Sequence, residues 1–214
     1  MVAPAIATEL SSTLANMDKA ASGFSGMTAD VKWVTYTALV DDTTVESGEL
    51  SVQRPKGKSL DLKINFTDPY RKDLLVRGTK VELYKPEIAT VEEYDLSNSK
   101  DKLEQALLIG FGVSGSYLRE RYEVTMAGAE NLDGVETVHL ELTPKDADMR
   151  ISMPKLEMWV STKTWQPVQQ KLHQEAAGDY RLYSYSNITI NPPLSNSDFR
   201  LQLEGKVKRI TPGK

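Results

Sequence analysis

Apolar and polar residues alternate along most of the chain, the pattern of strands with one buried face. The clearest stretch runs from Leu60 to Phe66, where every second residue is apolar and those between are polar. Similar runs rich in β-branched and aromatic residues cover residues 30–40, 46–54, 74–76, 80–86, 88–96, 122–128, 135–144, 155–164, 166–174 and 179–190. The pattern predicts about eleven strands.

Two segments change to the period of a helix. Near the N-terminus, Ile6, Leu10, Leu14 and Met17 recur at helical spacing, and this predicts a helix over residues 5–22. In the middle of the chain, Leu103 and Leu107 belong to a second helical pattern, which predicts a helical insertion over residues 99–120.

The strands are joined by short turns such as Asn131–Gly134 and Gly178–Asp179, which favour hairpins. No long linker or repeat divides residues 1–214, so we expect one domain. Many short antiparallel strands with two helical segments predict a mainly β fold with some α: a large curved antiparallel sheet or barrel covered on one side by helices.

Composition excludes several classes of protein. The 214 residues carry a net charge of −4 with no basic run, which argues against nucleic acid as a partner. No cysteine is present, so disulfides and thiolate chemistry are excluded. No apolar run approaches the roughly 20 residues of a membrane span. The first residues, MVAPAIATELSS, lack the features of a signal peptide, which leaves a cytoplasmic protein or one whose signal has been removed.

The sequence offers little chemistry for catalysis. Residues 110–115 match G-x-G-x-x-G, but the strands around them read as antiparallel hairpins, so a glycine-rich break between two helices is favoured over a nucleotide site. His139 and His173 have polar neighbours on their strand faces and are expected at the surface. Asp146 and Asp148 fit a turn better than a cation site. We therefore predict a protein that is not an enzyme and that holds no metal or cofactor.

Apolar surface is the remaining candidate for function. A large sheet with one apolar face either fills itself with side chains or encloses a cavity, and an apolar concavity covered by helices suits an acyl chain. The positions predicted to line such a cavity, for which ordinary core is the alternative, are Trp33, Leu50, Val52, Leu60, Leu62, Ile64, Leu74, Val76, Leu83, Met126, Met158, Leu172 and Leu182.

Arg54 interrupts one apolar face. It has the parity of Leu50 and Val52, so the strand that buries those residues directs an arginine to the same side. Pro55 favours a strand end at which Arg54 reaches solvent, and a partner at the rim of the sheet is the alternative.

Three motifs resemble the LolA family, the periplasmic carriers of outer-membrane lipoproteins. GELSVQRP resembles that family's strand ending in a basic residue and proline, VRGTKVELYKP resembles its G-x-x-L-x-x-Y-x-P segment, and HLELTPK resembles its L-x-P-K strand end. Their order and spacing agree over roughly residues 5–195. Glu82 departs from the pattern, because the family often has an aromatic residue there.

The resemblance implies an unclosed antiparallel β-barrel, lidded by helices, whose apolar cavity shields the acyl chains of lipoproteins. It assigns Arg54 the role of a latch that holds the lid closed. We expect the helical insertion, as the lid, to lay Leu103, Leu107 and Phe111 across the mouth of the cavity. The resemblance also implies a chaperone-like monomer in the periplasm, which takes cargo from an inner-membrane donor complex and delivers it to an outer-membrane acceptor. A lipid- or protein-sensing regulatory domain with the same fold is the alternative, and an unrecognised hydrolase is the least favoured.

Overall fold

A computed structural model describes residues 4–54, 60–97 and 111–212 of the chain. Three α-helices lie in these ranges: α1 Pro4–Ser22, α2 Gly115–Arg121 and α3 Ala147–Ser152. The strands are β1 Gly26–Thr37, β2 Asp42–Gln53, β3 Asp61–Asp68, β4 Lys72–Arg77, β5 Lys80–Lys85, β6 Thr90–Asp95, β7 Tyr122–Leu132, β8 Val135–Pro144, β9 Leu156–Ser161, β10 Pro167–His173, β11 Tyr180–Ile190 and β12 Lys208–Ile210.

The strands form one sheet that is not closed. Their order is β12-β6-β5-β4-β3-β2-β1-β11-β10-β9-β8-β7, so β12 and β7 are the two edge strands. The hairpins β3–β4, β4–β5 and β7–β8 pair antiparallel, as the alternating sequence predicts, whereas β12 runs parallel to β6. The predicted mainly β fold with an unclosed sheet and an N-terminal helix is confirmed.

The described chain forms two compact units. The first consists of Met1–Gly23, Trp33–Thr44 and Ile109–Tyr185, and the second of Phe24–Lys32, Val45–Leu108 and Ser186–Lys214. That residues 1–214 form one domain remains a prediction.

The core of the first unit lies between its helices and one face of β8–β10. Leu14 and Met17 of α1 and Leu118 of α2 are almost fully buried there, together with alternate residues of the strands. Polar contacts also join α1 and α2. The Asp18 carboxylate on α1 accepts hydrogen bonds from the backbone N–H of Ser116 on α2 at 2.9 Å and from the Ser116 hydroxyl at 3.0 Å. The helical spacing of Leu14 and Met17 in the sequence therefore marks a core-facing stripe.

The second unit uses both faces of its strands. Leu75, Tyr84 and Val91 lie on the face of β4–β6 opposite Leu74, and each is at least 97% buried. The C-terminal segment runs along these strands: the Glu204 N–H donates to the Tyr84 hydroxyl at 3.2 Å.

The C-terminal segment after β11 belongs to the folded structure. Phe199 is fully buried, and the segment ends in β12, which pairs with β6 from Lys208 to Ile210. Glu82 and Glu93 lie directly opposite each other on β5 and β6, and the Arg209 guanidinium contacts both carboxylates. The cation thus offsets a like-charge pair that would otherwise weaken this edge of the sheet.

A further helix lies where a turn was predicted. The Asp146 side chain accepts a hydrogen bond from the Met149 N–H at 2.7 Å and so caps α3. Asp146 is therefore a capping residue, which is consistent with the expectation that it does not bind a cation. None of the helices in the described ranges is long and apolar enough to cross a membrane.

Candidate functional site

Seven aliphatic side chains that were predicted to line a cavity share one face of four adjacent strands in the second unit. Residues directly opposite each other in an antiparallel pair point to the same side of the sheet. The register places Val52 opposite Leu62, and Leu62 opposite Val76. In the neighbouring row, Leu50 lies opposite Ile64, Ile64 opposite Leu74, and Leu74 opposite Leu83. We call this set the apolar face; its members are Leu50, Val52, Leu62, Ile64, Leu74, Val76 and Leu83.

The apolar face is largely shielded from solvent. Val52 has no exposed surface and Leu50 is 2% exposed, whereas Leu74 and Leu83 are half-buried. Leu60, just before β3, is also buried. The seven members of the apolar face share one side of the sheet because their period of two follows the pleat of a strand, and that they line a cavity remains a prediction.

In the first unit, the predicted cavity positions belong to a packed core. Met158 and Leu172 lie in the cluster that contains Leu14 and Met17 of α1, and Met126 packs against it. Their neighbours are side chains of this chain, so these three positions fit the core interpretation. Trp33 is half-buried, with its ring centroid 4.9 Å from that of Tyr183.

Leu182 does not share the face of the other candidates in the first unit. It lies opposite Lys171, which in turn lies opposite Glu157, whereas Leu172 lies opposite Leu156 in the core. The prediction that Leu182 lines a cavity with Leu172 is therefore wrong. β11 carries bulky residues on both of its faces. Tyr183, the next residue, faces the opposite side from Leu182, and burial there raises the pKa of its hydroxyl.

Of the three predicted lid residues, the structure describes one. Leu103 and Leu107 lie outside the described residues. Phe111 is buried in the first unit, where its ring meets Tyr185 edge-on with the centroids 4.7 Å apart.

The glycine-rich segment that ends at Gly115 packs against α1. A Cβ at Gly115 would lie 2.2 Å from the Leu14 carbonyl oxygen, so the close approach of α2 to α1 requires glycine. The Gly112 N–H donates to the Gln166 side chain at 3.0 Å, and the Ser114 hydroxyl caps α2. These contacts account for the glycines by packing, which supports the interpretation of a break before a helix.

Arg54 follows the last residue of β2 and lines a pocket of about 560 Å³ in the second unit. Its backbone N–H donates to the Ser25 carbonyl at 2.8 Å, and its side chain is half-buried. The pocket is formed by three stretches that are distant in sequence, and its lining residues are Ser25, Gly26, Gln53, Arg54, Pro192, Leu194, Ser195 and Asn196.

A network of histidines and carboxylates lies on β7–β10, on the face opposite the first unit's core. Glu157 Oε2 lies 3.0 Å from His139 Nε2, and Oε1 lies 2.6 Å from His173 Nε2. Lys155 Nζ is 3.4 Å from the same carboxylate. Burial opposes ionisation of Glu157, but the contacts with His173 and Lys155 outweigh it and lower the pKa of this carboxyl.

His139 was expected at the surface, but it is 8% exposed. Its ring stacks on Trp159 with the centroids 4.2 Å apart, and Nδ1 lies 2.8 Å from Glu130 Oε1. The sequence shows each histidine as an isolated polar residue, and only the pairing of β8, β9 and β10 brings the two rings to one carboxylate. Within the described ranges, no group of three or more His, Asp or Glu side chains is arranged to hold a metal ion.

Comparison with solved structures supports the likeness of fold. An uncharacterised conserved protein from Thermus thermophilus matches with a TM-score of 0.58 at 9% identity, covering 94% of this chain and 99% of the other. The MucA/MucB complex of Pseudomonas aeruginosa gives 0.54 at 13% identity, covering 94% and 64%. LprF from Mycobacterium bovis gives 0.50 at 15% identity, covering 88% and 95%. This chain thus spans about 64% of the matched chain in the MucA/MucB complex.

No curated protein matches this chain in sequence. A family model does: the one described as outer membrane lipoprotein carrier protein LolA matches residues 24–202, which include all of β1–β11, the apolar face and the pocket at Arg54. The match covers well over half of the sequence, and it agrees with the three motifs found there. The chain belongs to the LolA family.

Proposed function

We propose that this protein is a non-enzymatic carrier that binds an acyl chain of a lipoprotein, or of another lipid, along the apolar face. The observation that supports this most directly is the set of seven aliphatic side chains on β2–β5, in a chain of the LolA family. The methylene groups of an acyl chain neither donate nor accept hydrogen bonds, so aliphatic side chains are sufficient to bind it.

The size of the apolar face suits such a ligand. Four strands spaced about 4.8 Å apart span roughly 14 Å, and each buried methylene contributes about 0.8 kcal/mol. A chain of a dozen methylenes would therefore gain several kcal/mol after the cost of ordering it. The half-buried Leu74 and Leu83 are the members of the set that a ligand would shield further.

The proposed location of the ligand is narrower than the sequence predicted. Leu74 and Leu83, which are half-buried, are the proposed first contacts. The buried residues Leu50, Val52, Leu60, Leu62, Ile64 and Val76 become contacts only when the ligand displaces the groups that cover them. Met158 and Leu172 pack against helix α1, so we assign them to the core of the first unit.

Transfer would proceed by acyl-chain entry, shielding during transit, and release to an acceptor of higher affinity. Membership of the LolA family supports a periplasmic location, an inner-membrane donor and an outer-membrane acceptor as parts of this proposal.

Arg54 is proposed as the latch of the helical lid. The test is hydrogen exchange across residues 99–120 in the wild type and in Arg54→Leu. Faster exchange in the variant supports the latch, and identical exchange contradicts it. An apolar replacement leaves no unpaired charge, so stability should change little.

A second candidate function is a regulatory domain that binds a lipid or a protein without shuttling it. The likeness to the fold seen in the MucA/MucB complex favours it, because the similar fold occurs there together with a protein partner.

A titration with a fluorescent fatty acid tests ligand binding, and transfer separates the two functions. Saturable binding at micromolar protein, followed by release to acceptor vesicles, supports the carrier. Binding without release supports the regulatory domain. No saturable binding contradicts the carrier.

A further inference from the structure

The walls of the pocket at Arg54 are fixed by hydrogen bonds. The Asn191 carboxamide oxygen accepts from the Ser25 N–H at 2.8 Å, from the Ser25 hydroxyl at 3.0 Å and from the Gly26 N–H at 3.3 Å. In return, the Asn191 N–H donates to the Gly26 carbonyl at 2.8 Å. Asn191 adopts a positive φ of 54°, a conformation that asparagine tolerates better than most residues. The stretch after β11 is thereby held against the start of β1.

The far wall is ordered in the same way. The Asp198 carboxylate accepts from the Ser195 N–H at 2.7 Å and from its hydroxyl at 2.8 Å. These hydrogen bonds from Ser195 lower the pKa of Asp198, and the positive charge of Lys63 adds to them. The turn that carries Ser195 and Asn196 is therefore closed on itself.

The carboxylates bonded to pocket residues have partners other than Arg54. Asp198 is held by Ser195, and Asp61 accepts from the Gln53 side chain at 3.0 Å and lies 3.8 Å from Arg77. Within the described residues, the Arg54 guanidinium forms no ion pair, whereas Arg71 and Arg209 each bind a glutamate. A half-buried guanidinium is stabilised most by a charged acceptor. Because the described residues of the pocket provide none for Arg54, a bound ligand would have to supply it.

From this arrangement we propose that the pocket binds an anionic group, a carboxylate or a phosphate, at the end of an acyl ligand. Arg54 supplies the charge and the hydrogen-bond donors, and Asn196 is a further polar residue of the lining. The Ser25 and Ser195 hydroxyls already donate to Asn191 and Asp198, so they shape the walls of the pocket. Arg54 follows β2, which carries Leu50 and Val52 of the apolar face, so the charge and the aliphatic residues belong to one strand and its end. This inference rests on the proposed function and adds that the ligand is an acidic lipid.

The test compares three probes with the same twelve-carbon chain: dodecanoate, dodecyl phosphate and dodecanol. Affinities are measured by calorimetry below the concentrations at which the probes aggregate, for wild type, Arg54→Gln, Arg54→Lys and the control Arg150→Gln on α3 in the first unit. We expect the wild type and Arg150→Gln to prefer an anionic probe over dodecanol by about tenfold or more. Arg54→Gln should lose this preference, and Arg54→Lys should keep part of it because it keeps the charge but not the planar fork.

The two anionic probes identify the source of the charge. Tighter binding of dodecanoate indicates a carboxylate ligand, and tighter binding of dodecyl phosphate indicates a phospholipid-type headgroup. Equal affinity of the wild type for all three probes, or an unchanged preference in Arg54→Gln, overturns the inference while leaving acyl binding intact.

If no twelve-carbon probe binds, that result counts against the proposed function itself. A separate measurement then tests whether the pocket at Arg54 binds an anion. Inorganic phosphate is then titrated into the wild type and Arg54→Gln, and the amide signals of Ser25, Gly26 and Asn196 are followed by NMR. Saturable shifts present only in the wild type support the anion pocket, and the absence of such shifts overturns it.

Discussion

Leu74 and Leu75 are neighbours on β4 but face opposite sides of the sheet. Leu74 lies opposite Ile64 and Leu83 on the apolar face, whereas Leu75 lies opposite Lys63 and Glu82. Leu75 is 3% exposed and Leu74 is half-buried. The same substitution at these two positions therefore separates ligand binding from stability.

The first prediction concerns this pair. Leu74→Ala should weaken binding of an acyl probe by about 10- to 50-fold, because it removes up to roughly three methylene-sized groups of ligand contact, and it should lower the free energy of unfolding by about 1 kcal/mol. Leu75→Ala should lower the free energy of unfolding by about 2–4 kcal/mol and leave affinity unchanged. Chemical denaturation and fluorescent probe titration measure the two effects. Equal effects of both variants on affinity would contradict the assignment of the ligand to one face.

The second prediction concerns the contact between α1 and α2. Gly115→Ala should lower the free energy of unfolding by about 2–3 kcal/mol, because its Cβ would lie 2.2 Å from the Leu14 carbonyl and must displace a helix. Gly23→Ala is the matched control, since a Cβ at Gly23 meets no atom within 4 Å. It should change stability by less than about 0.5 kcal/mol. If thermal denaturation gives the same change for both variants, the packing account of Gly115 is wrong.

The third prediction concerns pH. The pKa of Glu157 is lower in the folded protein than its ordinary value, so ionised Glu157 stabilises the fold above the ordinary carboxyl range and this stability is lost as pH falls through the folded pKa. Glu157→Gln should therefore lower the free energy of unfolding by about 1 kcal/mol at pH 7, and this difference should shrink below about pH 4.

The control for this experiment is Glu175→Gln, since Glu175 is exposed in the turn between β10 and β11. It should have little effect at either pH. A deficit of Glu157→Gln that is the same at pH 7 and pH 3 would show that the carboxylate charge is not the stabilising feature.

The fourth prediction concerns the edge of the sheet. Arg209→Gln leaves Glu82 and Glu93 facing each other without their shared cation, and it should cost about 0.5–1 kcal/mol because these groups are partly exposed. Adding Glu82→Gln should recover part of that loss by removing the repulsion. The measurement is a double-mutant cycle by urea denaturation at low and high salt. Additive effects, unchanged by salt, would argue against coupling of the three charges.

Most of the fold could be predicted from the sequence because period-two alternation is a local signal. It identified β3 and the face shared by Leu62 and Ile64, and helical spacing identified α1. Alternation failed for Leu182, because β11 carries large side chains on both of its faces. Only the pairing of Leu182 with Lys171 shows which side of the sheet it faces.

Features that depend on distant residues could not be predicted. The three-residue β12 is too short for a periodic signal and is defined by its pairing with β6. The pocket at Arg54 takes its second wall from a stretch that begins at Pro192, more than 130 residues later in the sequence. The contacts of His139 and His173 with Glu157 likewise exist only after three strands pair.

The most direct test of the central claim is to map where an acyl chain lies. A fatty acid with a diazirine near the end of its chain is bound to the protein, activated by light, and the labelled peptides are identified by mass spectrometry. We predict label within residues 48–85, which carry the apolar face, reduced by an excess of unlabelled fatty acid. Label confined to residues 122–173 of the first unit, or no label that unlabelled fatty acid reduces, would contradict the proposal that β2–β5 bind the acyl chain.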